Sequence, residues 1–318
     1  MDIRHLKYFV AISEEKSLSA ASQRLGVAQP SLSQHVIRLE DELGVALMVR
    51  SPRGVVLTDE GHLLVRHARE ITRSLDVCIS EMKEAGGTVR GPVAFGLPPS
   101  VSMVMSVPLA ETVRVDLPDV RLQAVESMSG YIKTWLDDGT VDLAFLYDLD
   151  RKENFHARHL LDEQLCFFSA PDAWPLDTPP GQPVPLSAIA GLDLILPSPG
   201  HGLTRTISRH ATQRGLLLNV VIEMDAMTQI KELVARGSGH TIFAPAAAHD
   251  FVGRGDLVKS PIIDPVITRP VLLVTNPARA QSRAARAVID LTLTVARDLV
   301  RRGIWEGRLA PELEALPG

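Results

Sequence analysis

The sequence has few cysteines and lacks a long apolar run. Cys78 and Cys166 lie far apart and show neither CxxC nor metal-finger spacing, which excludes a disulfide scaffold. No apolar run approaches the roughly 18 residues that a transmembrane helix needs. Residues 1–15 are charged where a signal peptide would have its hydrophobic segment. We therefore expect a cytoplasmic protein without a membrane partner, and both buried reduced thiols and a redox role for the cysteines remain open.

An excess of positive charge is also lacking. The chain has 33 Lys and Arg against 38 Asp and Glu, a formal net charge of −5. Proteins that coat nucleic acid are usually basic, because they neutralise phosphates. A surface that binds DNA would have to be local.

Motifs for catalysis are lacking as well. There is no Walker A loop or dinucleotide fingerprint, and residues 236–240, "RGSGH", lack the glycine that a nucleophile elbow places two positions before Ser238. His62 and His67 are five positions apart on a predicted helix, so they do not share a face for a metal. We expect no catalytic residues, no metal and no cofactor, and hence no enzyme.

The length and composition indicate a folded, multidomain protein. At 318 residues the chain exceeds the size at which a single core keeps growing. Hydrophobic residues make up 45% and charged residues 22%, as in ordinary globular proteins.

The first fifty residues predict a helix-turn-helix. Ser17 is suited to cap a short helix that ends at Gly26. The next helix is predicted to begin at Pro30 with Gln29 as its N-cap. Its apolar stripe consists of Leu32, Val36, Leu39 and Leu43. Two helices joined by a tight turn containing glycine are typical of this DNA-binding motif, whose second helix points its start at base edges.

Polar side chains cluster at the start of that second helix. They are Gln29, Ser31, Ser33 and Gln34. Glutamine can pair with adenine, serine can reach a base edge or a phosphate, and a helix N-terminus attracts phosphate. An ordinary solvated helix face is the alternative interpretation.

A basic hairpin is predicted directly after this helix. Residues 51–61, "SPRGVVLTDEG", place a Pro/Gly turn between two β-prone segments, and Arg50 and Arg53 supply two guanidinium groups. Such a wing would enter a minor groove or bind phosphates. A solvated loop is the alternative, and the position behind a helix-turn-helix favours the wing.

A long helix is predicted for residues 59–85, capped by Thr58. Its apolar positions repeat at the spacing of a coiled-coil seam: Leu64, Ala68, Ile71, Leu75, Cys78 and Met82. A helix that packs into its own core would show a similar stripe. At about 1.5 Å per residue this helix would span about 40 Å, which favours a coiled coil between two chains.

Strands and helices alternate from residue 91 to residue 302, after a turn-rich hinge at residues 86–92. This alternation predicts parallel βαβ units in two similar halves, the second inserted into the first. We expect lobe one at 91–164 plus 268–302 and lobe two at 165–267. The tail at 303–318 has no assigned role.

Polar residues follow three of the predicted strands, where α/β sheets bind ligands. They are Ser100, Ser102, Ser127, Ser129, Ser198, His201, Thr204 and Arg205. Hydroxyl and backbone N–H groups at helix starts suit an anion, so we predict a small carboxylate effector. Simple helix capping by these residues is the alternative.

Residues 6–61, "LKYFVAISEEKSLSAASQRLGVAQPSLSQHVIRLEDELGVALMVRSPRGVVLTDEG", resemble the LysR-type transcriptional regulators, and "RGPVAFGLPPS" continues the resemblance. With "AQPSLSQ", "RSPRGV" and "DLAFLYD", the chain looks most like the nitrogen-assimilation-control branch. The resemblance implies an all-α winged helix-turn-helix at 1–58, a dimerising linker helix at 59–87, and an α/β two-lobed effector domain similar to periplasmic binding proteins.

The resemblance also implies partners and DNA contacts. Related proteins usually assemble as tetramers and bind two sites upstream of a promoter, with RNA polymerase as a further candidate partner. The positions that match the family's recognition helix and wing are Gln29, Pro30, Ser31, Ser33, Gln34, Arg38, Arg50 and Arg53. Two alternatives remain open: a free-standing small-molecule binding protein, and a redox-responsive regulator acting through Cys78.

Overall fold

The computed structural model describes residues 1–51, 54–83, 88–149 and 154–315. The helices are α1 (Ile3–Glu15), α2 (Leu18–Leu25), α3 (Gln29–Leu43), α4 (Asp59–Lys83), α5 (Pro99–Asp116), α6 (Ser129–Asp138), α7 (Leu186–Ile189), α8 (Gly202–Thr212), α9 (Met227–Ala235), α10 (His249–Arg254), α11 (Arg283–Arg301) and α12 (Pro311–Glu314). The strands are β1 (Met48–Ser51), β2 (Gly54–Leu57), β3 (Gly91–Leu97), β4 (Val120–Glu126), β5 (Leu143–Leu146), β6 (His156–Gln164), β7 (Cys166–Ser169), β8 (Val184–Pro185), β9 (Leu194–Leu196), β10 (Val220–Glu223), β11 (Thr241–Phe243), β12 (Val258–Ile263), β13 (Thr268–Thr275) and β14 (Arg308–Leu309).

Helices α1, α2 and α3 pack around one small core, centred on Phe9, Ile12 and Leu32. The predicted cap of α2 is confirmed, since Ser17 Oγ accepts a hydrogen bond from the Ala20 amide at 3.3 Å. The predicted end is also confirmed, because Gly26 adopts a left-handed conformation at φ 65°. The first two helices therefore meet through the tight turn that the sequence indicates.

The predicted start and stripe of α3 are each wrong at one residue. Ala28, not Gln29, is the N-cap and makes no side-chain capping bond. Pro30 lacks an N–H group and fits anywhere in the first turn, so it takes the second helical position instead of the first. Leu43 is 40% exposed, because α3 ends at Gly44, beyond the core that covers Leu39.

Strands β1 and β2 form the predicted antiparallel hairpin. The hairpin docks on the end of α1, where the Val55 amide donates to the Lys16 carbonyl at 2.9 Å. A Cβ on Gly54, which has φ 120°, would lie 2.5 Å from the Lys16 oxygen, so only glycine permits this approach. Pro52 and Arg53 lie outside the described residues.

Thr58 caps the linker helix α4 as predicted, and its Oγ1 accepts from the Gly61 amide at 3.0 Å. Only part of the predicted seam is open to a second chain. Ala68 is fully buried, because α1 packs along α4 within the same chain. Ile71 is 43% exposed and Met82 is 72% exposed, so the exposed part of the predicted seam lies toward the C-terminal end of α4.

The rest of the chain forms two α/β lobes joined by crossing strands. Lobe one has a six-stranded sheet in the order β14-β6-β13-β5-β3-β4, and lobe two has a four-stranded sheet, β11-β7-β12-β8, beside the pair β10-β9. The parallel pairing predicted from the strand–helix alternation holds for β3 with β4, β3 with β5, and β9 with β10. Strands β6 and β13 run antiparallel, because one leaves lobe one and the other returns to it.

The C-terminal tail belongs to the packing of lobe one. Trp305 is fully buried in the lobe one core, and β14 pairs with β6 at the edge of the sheet. Helix α12 buries Leu313 against the same core. The tail thereby places Glu306 beside Lys259 of lobe two, where the two side chains form an ion pair.

Candidate functional site

The start of α3 presents most of its polar side chains to solvent. Those that are exposed are Gln29, Pro30, Ser31, Gln34 and Arg38, and Ser33 is half-buried. With Ala28 as an uncapped N-cap, the first amides of α3 have no side-chain acceptor among the described residues. Free amides and exposed amide and hydroxyl side chains together can bind phosphate and base edges.

The hairpin and the start of α3 meet at one hydrogen bond. Arg50 Nη2 on β1 donates to Ser33 Oγ at 2.7 Å. This contact places an exposed guanidinium beside the polar start of the helix. The structure therefore brings together two groups that the sequence predicts separately as DNA contacts, whereas the predicted contact Arg53 lies outside the described residues.

A buried polar cluster lies where lobe one meets the crossing strands. Ser100, in the first turn of α5, is 2% exposed and accepts a hydrogen bond from Arg269 Nη2 at 2.8 Å. Its hydroxyl also bonds to the Tyr147 hydroxyl. Pro98 is the N-cap of α5, so the capping interpretation does not explain Ser100.

Arg269 is the centre of this cluster. Its Nε donates to Glu163 Oε2 at 2.9 Å, and its guanidinium lies 3.8 Å from the centre of the Tyr147 ring. Glu163 is fully buried and also accepts from Trp305 Nε1 at 2.8 Å. Burial alone would lower the pKa of Arg269, but Tyr147 and Glu163 outweigh this effect and raise it. Burial raises the pKa of Tyr147 to about 12, so its hydroxyl stays protonated.

The facing edge of lobe two is built on the loop before α8. His201 is the N-cap of α8, and its Nδ1 accepts from the Leu203 amide at 3.1 Å. Burial lowers the pKa of His201, and the charge of Arg269 lowers it further. His201 is therefore neutral at pH 7, and the Nδ1 acceptor leaves the proton on Nε2.

The other predicted effector residues are less favourably placed for binding a ligand between the lobes. Thr204 Oγ1 donates to the Pro197 carbonyl at 2.8 Å and is buried within lobe two, while Arg205 donates to the Gly200 carbonyl. The Ser198 amide donates to Asp225 Oδ1 at 2.9 Å. Ser102, Ser127 and Ser129 are half-buried, and Met128 rather than a serine is the N-cap of α6.

Arg269, which the sequence analysis missed, bonds to Ser100 and lies close enough to His201 for its charge to lower the pKa of that imidazole. Lys231 on α9 was also missed. It is fully buried and donates to Asp250 Oδ1 at 3.0 Å, and the charge of Glu126 in lobe one acts to raise its pKa. Both cations lie in helical or strand stretches without a motif. Their position among apolar residues could have indicated them, because a charged side chain that is buried needs a partner of opposite charge or a hydrogen-bond acceptor.

The cysteines differ in environment. Cys78 is exposed on α4, and Cys166 is buried on β7. Burial raises the pKa of Cys166 to about 12, which removes the thiolate at neutral pH. Across the described parts of the chain, there is no group of three or more side chains suited to a metal, and no helix is long and apolar enough to cross a membrane.

Two family models match the chain. Residues 3–62 match the bacterial regulatory helix-turn-helix protein, lysR family, and residues 86–297 match the LysR substrate binding domain. The nitrogen assimilation regulatory protein nac of Klebsiella aerogenes is 32% identical over 97% of this chain and 98% of its own length. The DNA-binding transcriptional dual regulator OxyR of Escherichia coli is 29% identical over 87% of this chain and 90% of its own length.

Solved structures share the fold along nearly the whole chain. A full-length OxyR variant from Pseudomonas aeruginosa has a TM-score of 0.74 at 22% identity, covering 93% of this chain and 95% of that one. The LysR family regulator CbnR, solved in complex with its target DNA, has a TM-score of 0.65 at 19% identity and covers 94% of this chain and 99% of that one. At these identities the structures establish the architecture: a winged helix-turn-helix, a linker helix and a two-lobed α/β domain.

Proposed function

The chain belongs to the LysR family of DNA-binding transcriptional regulators, and on that premise we propose that it reads promoter DNA under the control of an anionic effector bound between its two lobes. As a member of this family it is a transcriptional regulator with an effector-binding domain and not an enzyme. We assign residues 1–58 to the DNA-binding domain, 59–87 to the dimerising linker, and 91–302 to effector binding and regulation. We propose that it acts in the bacterial cytoplasm, where promoter DNA lies.

The observation that supports the DNA-reading surface is the contact between Arg50 and Ser33. The proposal is that Gln29, Ser31 and Gln34 approach base edges while the wing binds the phosphates. Arg38, one helical turn after Gln34, contacts the backbone. This division follows from the chemistry of the side chains, since amides read base edges and guanidinium groups bind phosphates.

The effector site is proposed around Ser100, Arg269 and His201. Arg269, whose charge Glu163 balances, brings guanidinium N–H groups to the junction of the lobes, and neutral His201 offers an Nε2–H donor from the facing lobe. A small carboxylate would accept hydrogen bonds from these groups, and its binding would favour one arrangement of the lobes. Through the linker helix, this change would alter how a dimer or tetramer lies on two DNA sites and meets RNA polymerase.

A thermal-shift screen against small carboxylates tests the effector proposal, since a ligand that binds the folded state raises its apparent stability. We expect a concentration-dependent shift that Ser100→Ala abolishes. Ser106→Ala on the same helix is the matched control, because Ser106 Oγ bonds only to the Ser102 carbonyl among the described residues. A shift that survives in Ser100→Ala would contradict the proposed site.

Three experiments address the remaining claims. A gel shift with the promoter region of the chain's own gene tests DNA binding, and sedimentation of the purified chain tests oligomerisation. A monomer that does not bind this DNA at low ionic strength would favour the alternative of a free-standing small-molecule binding protein. An interchain disulfide at Cys78 on a non-reducing gel after oxidation would favour the redox-responsive regulator.

A further inference from the structure

A cavity lies where the winged domain, the linker helix and lobe one meet, away from Ser100 and Arg269. Its volume is about 520 Å³, within the range of small-molecule sites. The described residues that line it with charge are Glu14, Arg24, Arg69, Arg73, Asp76, Arg90, Arg121 and Asp142. Five arginines face three carboxylates there, so the lining is net positive in a chain whose overall charge is −5.

One arginine already spans the junction. Arg69 on α4 pairs with Glu14 of α1 at 3.2 Å and with Asp138 at the end of α6 at 3.0 Å. The winged domain and lobe one are therefore held to the same side chain of the linker helix. A ligand bound at this junction would change how the winged domain is placed relative to lobe one.

The carboxylates that line the cavity are already paired, partly with arginines of the same lining. Asp76 pairs with Lys7 at 3.3 Å, and Glu14 pairs with Arg24 at 2.7 Å. Asp142 accepts from the Ala94 amide at 2.6 Å in addition to its ion pair with Arg73. Arg24 and Arg73 are therefore already paired, but each guanidinium group has five N–H donors, and these pairs leave some of them for a ligand.

Arg73 retains an unused donor. Its Nε is buried and has no hydrogen-bond partner among the described residues. Burial, reinforced by the charge of Arg279, lowers the pKa of Arg73 to about 10, so the guanidinium remains charged at neutral pH. A charged, buried N–H group without an acceptor is unfavourable, so a rotation of the Arg73 side chain that turns Nε toward a bound anion would be favourable.

We propose that this cavity binds a small multivalent phosphate, such as the phosphate groups of a phosphorylated metabolite. Guanidinium groups match phosphate oxygens in pairs of parallel hydrogen bonds, and the arginines approach from the winged domain, the linker and lobe one. The ligand would fasten the three parts together. The site is separate from the effector site around Ser100, so the two could be occupied at once.

Isothermal titration of the full chain with inorganic pyrophosphate at a fixed ionic strength of about 0.15 M tests the proposal, because surface charge pairs are screened at that salt while a built site is less affected. We expect saturable binding that weakens by about tenfold or more in both Arg73→Gln and Arg121→Gln, since each removes charge-assisted hydrogen bonds. Arg209→Gln is the matched control, because Arg209 is exposed on α8 in lobe two and does not line the cavity. If Arg73→Gln does not fold, Arg121→Gln still tests the proposal, because Arg121 is exposed on β4 and its substitution should not prevent folding.

Hydrogen exchange locates the bound anion. Pyrophosphate should protect amides at residues 69–77 and 90–94, and leave those at 198–205 unchanged. Absence of binding at millimolar pyrophosphate, equal weakening in Arg209→Gln, or protection confined to 198–205 would each overturn the proposal. None of these outcomes depends on whether a carboxylate binds between the lobes, so failure here is distinguishable from failure of the proposed effector site.

Discussion

Arg50 Nη2 on the hairpin donates a hydrogen bond to Ser33 Oγ on α3 at 2.7 Å, and this bond ties the basic side chain of the wing to the start of the recognition helix. It acts together with the hydrogen bond from the Met48 amide of β1 to Glu40 Oε1 of α3 at 3.4 Å, and with the core that Met48 and Leu39 share. A guanidinium held in this way loses less conformational entropy when it binds a phosphate, because part of its freedom is already gone. The contact therefore prepares the surface for DNA.

Substitutions at Arg50 and Gln34 should affect DNA binding differently. Arg50→Ala is expected to weaken binding to promoter and random DNA alike, and to reduce the slope of log affinity against log salt by about 0.9 per lost phosphate contact. Gln34→Ala should cost about 1–3 kcal/mol on the promoter and little on random DNA, because it removes a base contact. Fluorescence anisotropy between about 50 and 200 mM salt measures both.

Arg209→Ala, on the exposed face of lobe two, controls for the loss of one positive charge. Equal losses from Arg50→Ala and Gln34→Ala on both kinds of DNA would contradict the division between phosphate and base contacts.

The buried pair of Glu163 and Arg269 should matter for stability. Glu163→Ala would leave the buried Arg269 charge uncompensated and the Trp305 N–H without an acceptor, so we expect a loss of about 3–5 kcal/mol in the free energy of unfolding. Asp298→Ala breaks the exposed pair with Arg302 and should cost less than about 0.5 kcal/mol. Urea unfolding measures the difference, and similar losses in the two variants would show that the cluster is not a stabilising centre.

Local chemistry explains which elements could be predicted from the sequence. The caps at Ser17 and Thr58 and the turn at Gly26 depend on neighbouring residues, and the structure confirms all three. Strand β6 could not be recognised in the same way, because its sequence, "HARHLLDEQ", has charged residues on much of its length. Its place in the sheet depends on pairing with β13, which is more than a hundred residues away.

The contrast between local and long-range contacts also applies to the candidate effector site. Ser100 and His201 could be found because they follow strands, where ligands bind in α/β folds. Arg269 could not, since nothing near it in the sequence shows that Glu163, Tyr147 and Ser100 surround it in space. Long-range contacts also explain why part of the predicted seam is covered: the partner of Ala68 is α1 of the same chain.

The two cysteines should differ in reactivity toward alkylating reagents. Cys78 is exposed, whereas Cys166 is buried with its pKa raised to about 12. We expect iodoacetamide at pH 8 to label Cys78 about a hundredfold faster or more, because only the accessible thiolate reacts. Mass spectrometry of the labelled peptides measures the two rates, and Cys78→Ser gives the rate at Cys166 alone. Comparable rates would contradict the inferred burial and return Cys166 to consideration as a redox residue.

His201 gives stability a dependence on pH whose sign follows from its environment. Burial, with help from Arg269, lowers the pKa of His201 in the folded state below its ordinary value of 6.5. Above pH 6.5 the imidazole is neutral in both states. As the pH falls below 6.5, the unfolded chain takes up the proton first, so the free energy of unfolding decreases until the pH also passes the folded-state pKa.

His201→Asn separates this titration from the capping role, since asparagine is a good N-cap and does not titrate. We expect near-normal stability at pH 7.5 and a smaller loss than in the unsubstituted chain when urea unfolding is repeated at pH 5.5. Some loss should remain, because burial also lowers the pKa values of His210 and His240. The exposed His156→Asn is the matched control for removal of an imidazole. An unchanged loss in His201→Asn would mean that His201 is not the buried, neutral donor on which the proposed effector site depends.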